Sequence, residues 1–431
     1  MRTSFQRAVA IAVAILFTGA VVPGTVASAS PGASNTTAGP VSNCLTLASP
    51  TCYSPRQYRT AYGIQPLTDR GITGRGQSVV LLELAAVPGE AGLTDVRQDL
   101  GRFDSVFGLP AVNLQVNTSL APGASPFQAS SEYFGDIEFV HAVAPQAAVR
   151  VVLVPQAQGQ VATLTTEFAA ALRLASSLGG VISVSAGLNE NSFTPAEAAT
   201  LHSALRFDTD RHVTVIFASG DSGAAGTSLT GTFTKGVDLP ACDPLALGVG
   251  GTSLDASHTT GDYIGETVWN RPGSGIPGVV ASGGGFSDDF ARPAYQDGVP
   301  GIGAHRGVPD VASDADLDTG MAIVVVVDGK FIIGQSGGTS VGAPTWAGIV
   351  AMADQYAGRH LGFINPAIYQ IGRGDQYHHA FHDITQGNNT VQFGSVTIQG
   401  FDATTGWDPV TGWGSPDAQV LVPLLARDVT R

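Results

Sequence analysis

The sequence of 431 residues has little charge and almost no lysine. Charged residues make up 13% of the chain, against about 25% in typical soluble proteins. Lys235 and Lys330 are the only lysines, and the formal net charge is −14. This charge argues against nucleic acid or an anionic membrane surface as a partner, because like charges repel. A chain with few carboxylates to neutralise also suits an acidic medium.

Cysteines are scarce as well, with three in the chain. Cys44 and Cys52 enclose a short loop and are the pair that we expect to form a disulfide. Cys242 precedes an apolar run, where we expect a partly buried free thiol rather than a nucleophile. Because no cysteine and histidine cluster has the spacing of a zinc site, the sequence gives no sign of zinc.

Long hydrophobic runs are missing except near the N-terminus. Arg2 and Arg7 precede an apolar stretch from Ala8 to Val22, and small residues up to Ala29 follow it. The stretch is shorter than the roughly 20 apolar residues of a spanning helix. Residues 1–29 are therefore predicted to be a secretory signal peptide cleaved near Ala29, which leaves an extracellular protein without a membrane anchor.

After this segment we expect a flexible lead-in at 30–43, rich in small and polar residues, and one domain over 44–431. Short apolar runs alternate with helical patterns along that domain, which predicts an α/β fold with a mostly parallel sheet and helices on both faces. The predicted strands are Ser78–Leu84, Val149–Val154, Val181–Ser185, Val213–Ala218 and Leu245–Val249, and the predicted helices are Ala162–Ser177, Pro195–Phe207 and Ala343–Tyr356. Active sites in such folds lie at the carboxyl ends of the strands.

One segment, Gly338-Thr339-Ser340-Val341-Gly342-Ala343-Pro344, places a serine between glycines just ahead of a helical pattern. Glycines permit a tight turn, and the free N–H groups at a helix start favour developing negative charge. Pro344 suits the first turn of the predicted helix. Ser340 is therefore a candidate nucleophile, although Gly-Thr-Ser is also a common helix cap.

Acidic residues supply three further candidates for a catalytic site, Glu132, Asp136 and Asp221. Glu132 and Asp136 are four residues apart and share one face of a predicted helix, so one can accept a proton while the other supports it. The alternative is an acidic pair that serves solubility. Glu138 lies on a different face and is predicted to be solvated. Asp221, in a glycine-rich turn after a strand, is either a neutral acid that donates to an oxyanion or an ordinary turn residue.

Taken in their order along the chain, these segments resemble the sedolisin family of serine-carboxyl peptidases. Members of that family have a subtilisin-like fold with Glu and Asp in place of the usual catalytic His. The resemblance covers about residues 53–423. It depends on Tyr62-Gly63-Ile64, the Glu132 and Asp136 pair, Ser183-Val184-Ser185, Gly220-Asp221-Ser222-Gly223, Val249-Gly250-Gly251-Thr252, Ser282-Gly283-Gly284-Gly285-Phe286-Ser287, Pro309-Asp310-Val311 and Gly337-Gly338-Thr339-Ser340.

The resemblance implies a peptidase that forms an acyl-enzyme on Ser340 at acidic pH. Glu132 would be the general base, Asp136 its support and Asp221 the donor to the oxyanion, while Glu83 would extend the network behind the base. The substrates would be proteins or peptides, and we expect a monomer.

The resemblance also implies one structural calcium ion. Asp383 and Asp408 would supply carboxylates, and Ile384, Thr404 and Gly406 would supply main-chain carbonyls. Such a set fits the demand of calcium for six to eight oxygen ligands.

Subtilisin-like enzymes are the nearest alternative, but the histidine segment that they need is absent from the matching place. The chain departs from the family pattern at Ala186, where a tryptophan is common, so substrate preference is not predicted. We also expect only the signal and the lead-in ahead of the catalytic domain, where relatives commonly have a long prodomain. A non-catalytic relative that binds peptides or acts as a secreted scaffold is the second functional hypothesis.

Overall fold

The computed structural model describes residues 40, 42–47, 50–86, 93–156, 160–271, 281–327 and 329–428. The predicted signal peptide at 1–29 and most of the predicted lead-in lie outside the described residues. Ser42–Asn43, the last two residues of that lead-in, form a short strand, which lies just ahead of the predicted boundary at residue 44.

The described part of the chain contains ten α-helices and twenty-one strands, many of the strands only two or three residues long. The helices are α1 Pro55–Ala61, α2 Gln65–Asp69, α3 Val96–Phe107, α4 Ser131–Val143, α5 Val161–Ala175, α6 Pro195–Thr209, α7 Thr339–Ala357, α8 Asn365–Gly372, α9 Tyr377–Ala380 and α10 Ala418–Asp428. The strands are β1 Ser42–Asn43, β2 Ser78–Leu84, β3 Thr94–Asp95, β4 Asn113–Asn117, β5 Gln128–Ala129, β6 Ala148–Val154, β7 Val181–Val184, β8 Leu188–Asn189, β9 Thr214–Ala218, β10 Asp238–Leu239, β11 Leu247–Ala256, β12 Tyr263–Val268, β13 Gly285–Ala291, β14 His305–Val308, β15 Val311–Asp314, β16 Ala322–Val327, β17 Lys330–Gln335, β18 Phe381–His382, β19 Val391–Phe393, β20 Val396–Ile398 and β21 Ser415–Pro416.

An eight-stranded sheet forms the centre of the fold, in the order β12-β11-β9-β7-β2-β6-β4, with β15 paired to β11. All its pairs are parallel except β11 with β12. The central strand β2 is apolar along most of its length, as expected of a parallel strand covered on both faces. The predicted fold class, α/β with a mostly parallel sheet, is confirmed.

Helices cover both faces of this sheet and bury two separate apolar cores. On one face α4 and α7 pack together against the central strands, and α1, α3 and α10 enlarge the same core. On the other face α5 and α6 form a smaller core with β2, β6, β7 and β9. Strand β2 contributes Val79 and Leu81 to the first core and Val80 and Leu82 to the second, because side chains alternate along a strand.

The cysteines and the helices agree with the predictions, with small differences. Cys44 and Cys52 form a disulfide, and Cys242 is a free cysteine that is completely buried rather than partly buried. Helix α7 begins at Thr339, four residues earlier than predicted. Among the described residues, no helix is both long and apolar enough to cross a bilayer.

Candidate active site

Ser340 lies in the first turn of α7, which points its N-terminus at the carboxyl ends of the central strands. The helix is preceded by Gly338, whose φ of +86° is open to glycine but strained for other residues. A Cβ atom at Gly338 would also lie 2.6 Å from Oδ2 of Asp221. The glycine thus brings Asp221 next to the nucleophile candidate, and the Ser340 side chain remains partly exposed to solvent.

Pro344 lies inside α7 and not in its first turn, since the helix begins earlier than predicted. Proline has no N–H group, so it cannot give the carbonyl of Ser340 its usual hydrogen bond from four residues along. The hydroxyl of Ser185, at the end of β7, lies 2.9 Å from that carbonyl oxygen. The main chain of Ser340 is thereby joined to a neighbouring strand.

Three carboxyl groups lie behind Ser340. Glu132, in the first turn of α4, lies beside the Ser340 side chain, close enough for that hydroxyl to lower the pKa of the carboxyl. Asp136, one turn further along α4, is hydrogen-bonded to Glu83, near the carboxyl end of β2. The exposed fractions of Glu83, Glu132 and Asp136 are 4%, 7% and 2%. The predicted base, its predicted support and the predicted third glutamate therefore form one buried cluster.

Burial controls the protonation of this cluster. Burial raises the pKa of all three groups well above the usual values. Repulsion from a neighbouring carboxyl raises each pKa further: Glu132 raises that of Glu83, Asp136 that of Glu132, and Glu83 that of Asp136. The Ser340 hydroxyl, by contrast, lowers the pKa of Glu132. Since neighbouring carboxylates repel in a buried site, the cluster accepts one negative charge far more readily than two.

Asp221 is held beside Ser340 by the residue that precedes it. Its Oδ1 accepts hydrogen bonds from the main-chain N–H and the hydroxyl of Thr339, at 2.7 and 2.8 Å. Both bonds use the same oxygen, so Oδ2 is the atom that can carry a proton towards a ligand. Burial raises the pKa of Asp221, while the bonds from Thr339 oppose this shift. A neutral acid able to donate is the state that burial favours.

The glycine-rich turn that carries Asp221 packs against the glycine-rich segment at 282–287. The N–H of Gly283 donates to the carbonyl of Gly220 at 2.7 Å, and the N–H of Ala281 donates to the carbonyl of Asp221 at 3.1 Å. A Cβ atom at Gly283 would collide with the carbonyl oxygen of Ser219. The absence of a side chain at Gly283 therefore lets this loop support the turn that carries Asp221.

One prediction about a neighbouring residue of α4 is wrong. Glu138 is completely buried, not solvated, because its carboxyl accepts a hydrogen bond from the main-chain N–H of Val324 at 2.9 Å. His141, further along α4, lies 2.9 Å from Asp104 and 2.8 Å from the carbonyl oxygen of Pro110. The site thus has no histidine within it among the described residues.

Sequence reasoning gave no role to Ser185 or Thr339, although both belong to segments that it identified. Ser185 follows a parallel strand directly, and the carboxyl ends of such strands meet at the site. That position was the signal that a hydroxyl there would reach the carboxyl cluster. No comparable signal marks the Thr339 side chain, since its contact with Asp221 depends on the turn at Gly338.

Ala186 lines a cavity of about 50 Å³ beside the carboxyl cluster. Glu83, Glu132 and Ser185 contribute its polar wall, and Phe168 part of its apolar wall. A cavity of this size has room for water. The small side chain leaves open space next to the candidate base.

The predicted calcium ligands also lie close together. Both carboxylate oxygens of Asp383 accept from the N–H of Gly406, and Asp408 accepts from the N–H of Thr404. Asp408 is buried, which raises its pKa to about 6. Within the described ranges, the carbonyls of Ile384, Thr404 and Gly406 accept no hydrogen bond. Two carboxylates and three unused carbonyls on adjoining loops are a donor set that suits calcium.

Comparison with known proteins gives the following relatives. The chain is similar to kumamolisin from Bacillus sp. (strain MN-32), with 35% identity over 378 residues that cover 86% of this chain and 63% of that protein. It is similar to tripeptidyl-peptidase 1 from Homo sapiens, with 32% identity over 270 residues that cover 58% of this chain and 44% of that protein. No protein-family model matches the chain.

A solved structure of Pseudomonas sedolisin, a serine-carboxyl proteinase complexed with two molecules of pseudo-iodotyrostatin, is similar along most of its length. The TM-score is 0.71 at 27% identity, and the match covers 86% of this chain and 97% of that one. By contrast, the chain spans between 44% and 63% of the full length of the two curated relatives above.

Proposed function

The chain belongs to the sedolisin family, and from this membership and the site geometry we propose that it is a serine-carboxyl peptidase that hydrolyses peptide bonds through an acyl-enzyme at acidic pH. The observation that carries the proposal is the position of the buried Glu132 carboxyl beside the Ser340 hydroxyl, with Asp221 held by the residue that precedes Ser340. Nucleophile, base and oxyanion donor are the parts that acyl transfer requires.

In the proposed reaction Glu132 takes the proton of the Ser340 hydroxyl as its oxygen attacks the peptide carbonyl. The resulting oxyanion receives a hydrogen bond from protonated Asp221. Glu132 then gives the proton to the leaving amine, and the same residue activates the water that hydrolyses the acyl-enzyme. Asp136 and Glu83 stay behind the base and share protons with it.

The proposed pH dependence follows from the buried carboxyls. Activity requires one negative charge in the cluster of Glu83, Glu132 and Asp136, so it rises with pH as that charge forms. It also requires a proton on Asp221. Because burial raises the pKa of Asp221, activity is present at lower pH and falls as the pH passes that pKa. A bell-shaped profile with an acidic optimum is expected.

The test compares peptide cleavage by the wild type and Ser340→Ala from acidic to neutral pH, with calcium present. We expect the variant to lose at least about 10³-fold in kcat, as removal of a nucleophile does elsewhere. Equal cleavage by both proteins, or none by the wild type, would support the alternative of a non-catalytic peptide-binding or scaffold relative. An optimum well above neutral pH would contradict the carboxyl mechanism.

We also propose that Asp383 and Asp408, with the carbonyls of Ile384, Thr404 and Gly406, hold one calcium ion. When bound, the ion would supply structural support to the loops and no chemistry at Ser340. The three unused carbonyls and the paired carboxylates support this proposal.

The calcium proposal is tested by titrating calcium into metal-free protein and following the midpoint of thermal unfolding. Ligand binding to the folded state stabilises it by about 2.7 kcal/mol at a concentration of 100 times Kd. Asp383→Asn should abolish this gain, whereas Asp402→Asn, an exposed neighbour, should retain it. A midpoint that does not respond to calcium in the wild type would contradict the site.

Export is the remaining part of the proposal, together with protein or peptide substrates and a monomeric state. It depends on the apolar stretch at 8–22 and the small residues ending at Ala29. Mass spectrometry of protein recovered from the culture medium should give a mature N-terminus near Ser30. Protein that stays inside the cell with residues 1–29 attached would contradict it.

A further inference from the structure

The hydroxyl of Ser185 has one hydrogen but two short contacts. Its Oγ lies 2.6 Å from Oδ2 of Asp136 and 2.9 Å from the carbonyl oxygen of Ser340. A carbonyl oxygen only accepts hydrogen bonds, so the contact with the Ser340 carbonyl must use the hydrogen of the Ser185 hydroxyl. One arrangement makes both contacts hydrogen bonds at the same time. In it Asp136 is protonated and donates to the Ser185 oxygen, and the Ser185 hydroxyl donates to the Ser340 carbonyl.

The surroundings support this arrangement. Pro344 leaves the Ser340 carbonyl without its usual helical donor, which gives the Ser185 hydrogen a place to go. Asp136 is 2% exposed, so a neutral carboxyl is favoured there. Glu83, also buried and hydrogen-bonded to Asp136, raises the pKa of Asp136, which again favours a proton on that carboxyl. Asp136 and Ser185 form a chain of two donors that ends on the main chain of Ser340.

From this geometry we propose that Ser185 is a positioning residue that keeps Asp136 protonated, so that the single negative charge of the cluster lies on Glu132. The inference rests on the proposed function, because it assigns the charge to the residue that acts as base. A negative charge on Asp136 would repel a charge on Glu132, so Glu132 would stay protonated and could not act as base.

The experiment replaces Ser185 by alanine and by threonine and measures kcat and KM against pH. Without the hydroxyl, a proton on Asp136 loses its acceptor, so Asp136 competes with Glu132 for the charge. We expect kcat of Ser185→Ala to fall about tenfold with little change in KM, because most of the single charge then lies on Asp136. The acid limb should move down by about one pH unit, because the cluster loses its first proton more readily. Ser185→Thr retains the hydroxyl and should restore both the rate and the limb.

The matched control is Ser183→Ala, which removes a buried hydroxyl from the same face of β7. The Ser183 hydroxyl has no hydrogen-bond partner in the described part of the chain. This variant should keep the wild-type pH profile. An acid limb that stays in place in Ser185→Ala, or moves to higher pH, would overturn the proposal. So would a Ser185→Thr variant that folds normally but behaves like Ser185→Ala.

Thermal unfolding separates this proposal from the proposed function. If the wild type cleaves no peptide, the proposed function fails, but the Ser185 contact remains measurable. The loss of unfolding free energy caused by Ser185→Ala should be largest at low pH, where Asp136 is protonated, and should shrink as pH rises. Ser183→Ala should lose the same amount at every pH. A pH-independent loss in both variants would contradict a link between Ser185 and the Asp136 proton.

Discussion

Two faces of helix α4 bury carboxyl groups and use them differently. One face presents Glu132 and Asp136 to the hydroxyls of Ser340 and Ser185. The opposite face presents Glu138 to the main-chain N–H of Val324. Burial raises the pKa on both faces. A raised pKa therefore does not distinguish the two, whereas the partner does: a hydroxyl can give up its proton in a reaction, and a main-chain amide cannot.

The second face closes the edge of a β-hairpin. Strand β16 pairs with β17 along one side, and its other side is met by α3 and α4. Glu138 accepts from Val324, and Asp99 of α3 accepts from the N–H of Val326 at 2.6 Å. Carboxyl groups here take the place of a neighbouring strand, which satisfies amides that an open edge leaves unpaired.

The substitution Glu132→Gln tests the comparison with the largest expected effect. A side-chain amide at this position cannot accept a proton from Ser340, so kcat should fall by about 10³ to 10⁴-fold. Glu138→Gln is the matched variant on the opposite face and retains an oxygen for Val324. Its activity should stay close to wild type, measured as peptide cleavage per folded molecule. A comparable loss in both variants would mean that the two faces do not differ in function.

Asp221 is an exception to this comparison, because it accepts a hydrogen bond from a main-chain amide and is nevertheless assigned to the chemistry. Removing it as Asp221→Ala should lower kcat by about 10² to 10³-fold, the usual cost of losing one oxyanion donor. Asp221→Asn retains a donor at every pH. Its kcat, measured against pH, should lose the alkaline fall of the wild type; if that fall persists, another group causes it.

Asp99→Asn tests the structural face through pH. Burial raises the pKa of Asp99 to about 6, so the stability that its neutral form contributes is present below about pH 4 and lost as pH rises through 6. Asn retains an acceptor for Val326 and does not titrate. Between pH 4 and 7 the variant should lose less unfolding free energy than the wild type, by up to about 3 kcal/mol. Asp210→Asn, an exposed control, should follow the wild type.

Glu138→Ala should have the smallest effect, confined to stability. It leaves the N–H of Val324 buried without an acceptor, which costs about 1–3 kcal/mol. Denaturant unfolding measures the loss, and Glu138→Gln should recover most of it. A fall in kcat at a pH where the variant is fully folded would show that the two faces of α4 are coupled.

The sequence allowed the frame of the fold to be predicted, because long apolar strands and periodic helices carry strong local signals. The predicted bounds of Ser78–Leu84 coincide with β2, and the helices α5 and α6 begin within a residue of their predicted starts. The start of α7 was placed late because Pro344 suggested a first turn. There the tertiary contact from Ser185 compensates for the lost helical bond, which no local pattern reveals.

The site was harder to predict where function depends on contacts between distant segments. The spacing of Glu132 and Asp136 showed which residues share a face. For Glu138 the same reasoning gave solvent, since helical spacing specifies a direction but not what lies there. A hairpin formed almost two hundred residues later covers that direction. Ser185 likewise needed the three-dimensional meeting of β7, α4 and α7.

The order of the chain also sets when the proposed activity can arise. Synthesis runs from the N-terminus, so Glu83, Glu132, Ser185 and Asp221 all exist before Ser340 is made. Helix α7 then packs on strands that are already complete. A nascent chain, or any fragment that ends before α7, holds the base and the oxyanion donor without a nucleophile. Under the proposed mechanism such intermediates cannot cleave peptide bonds, and cleavage becomes possible only once Ser340 and α7 have been made.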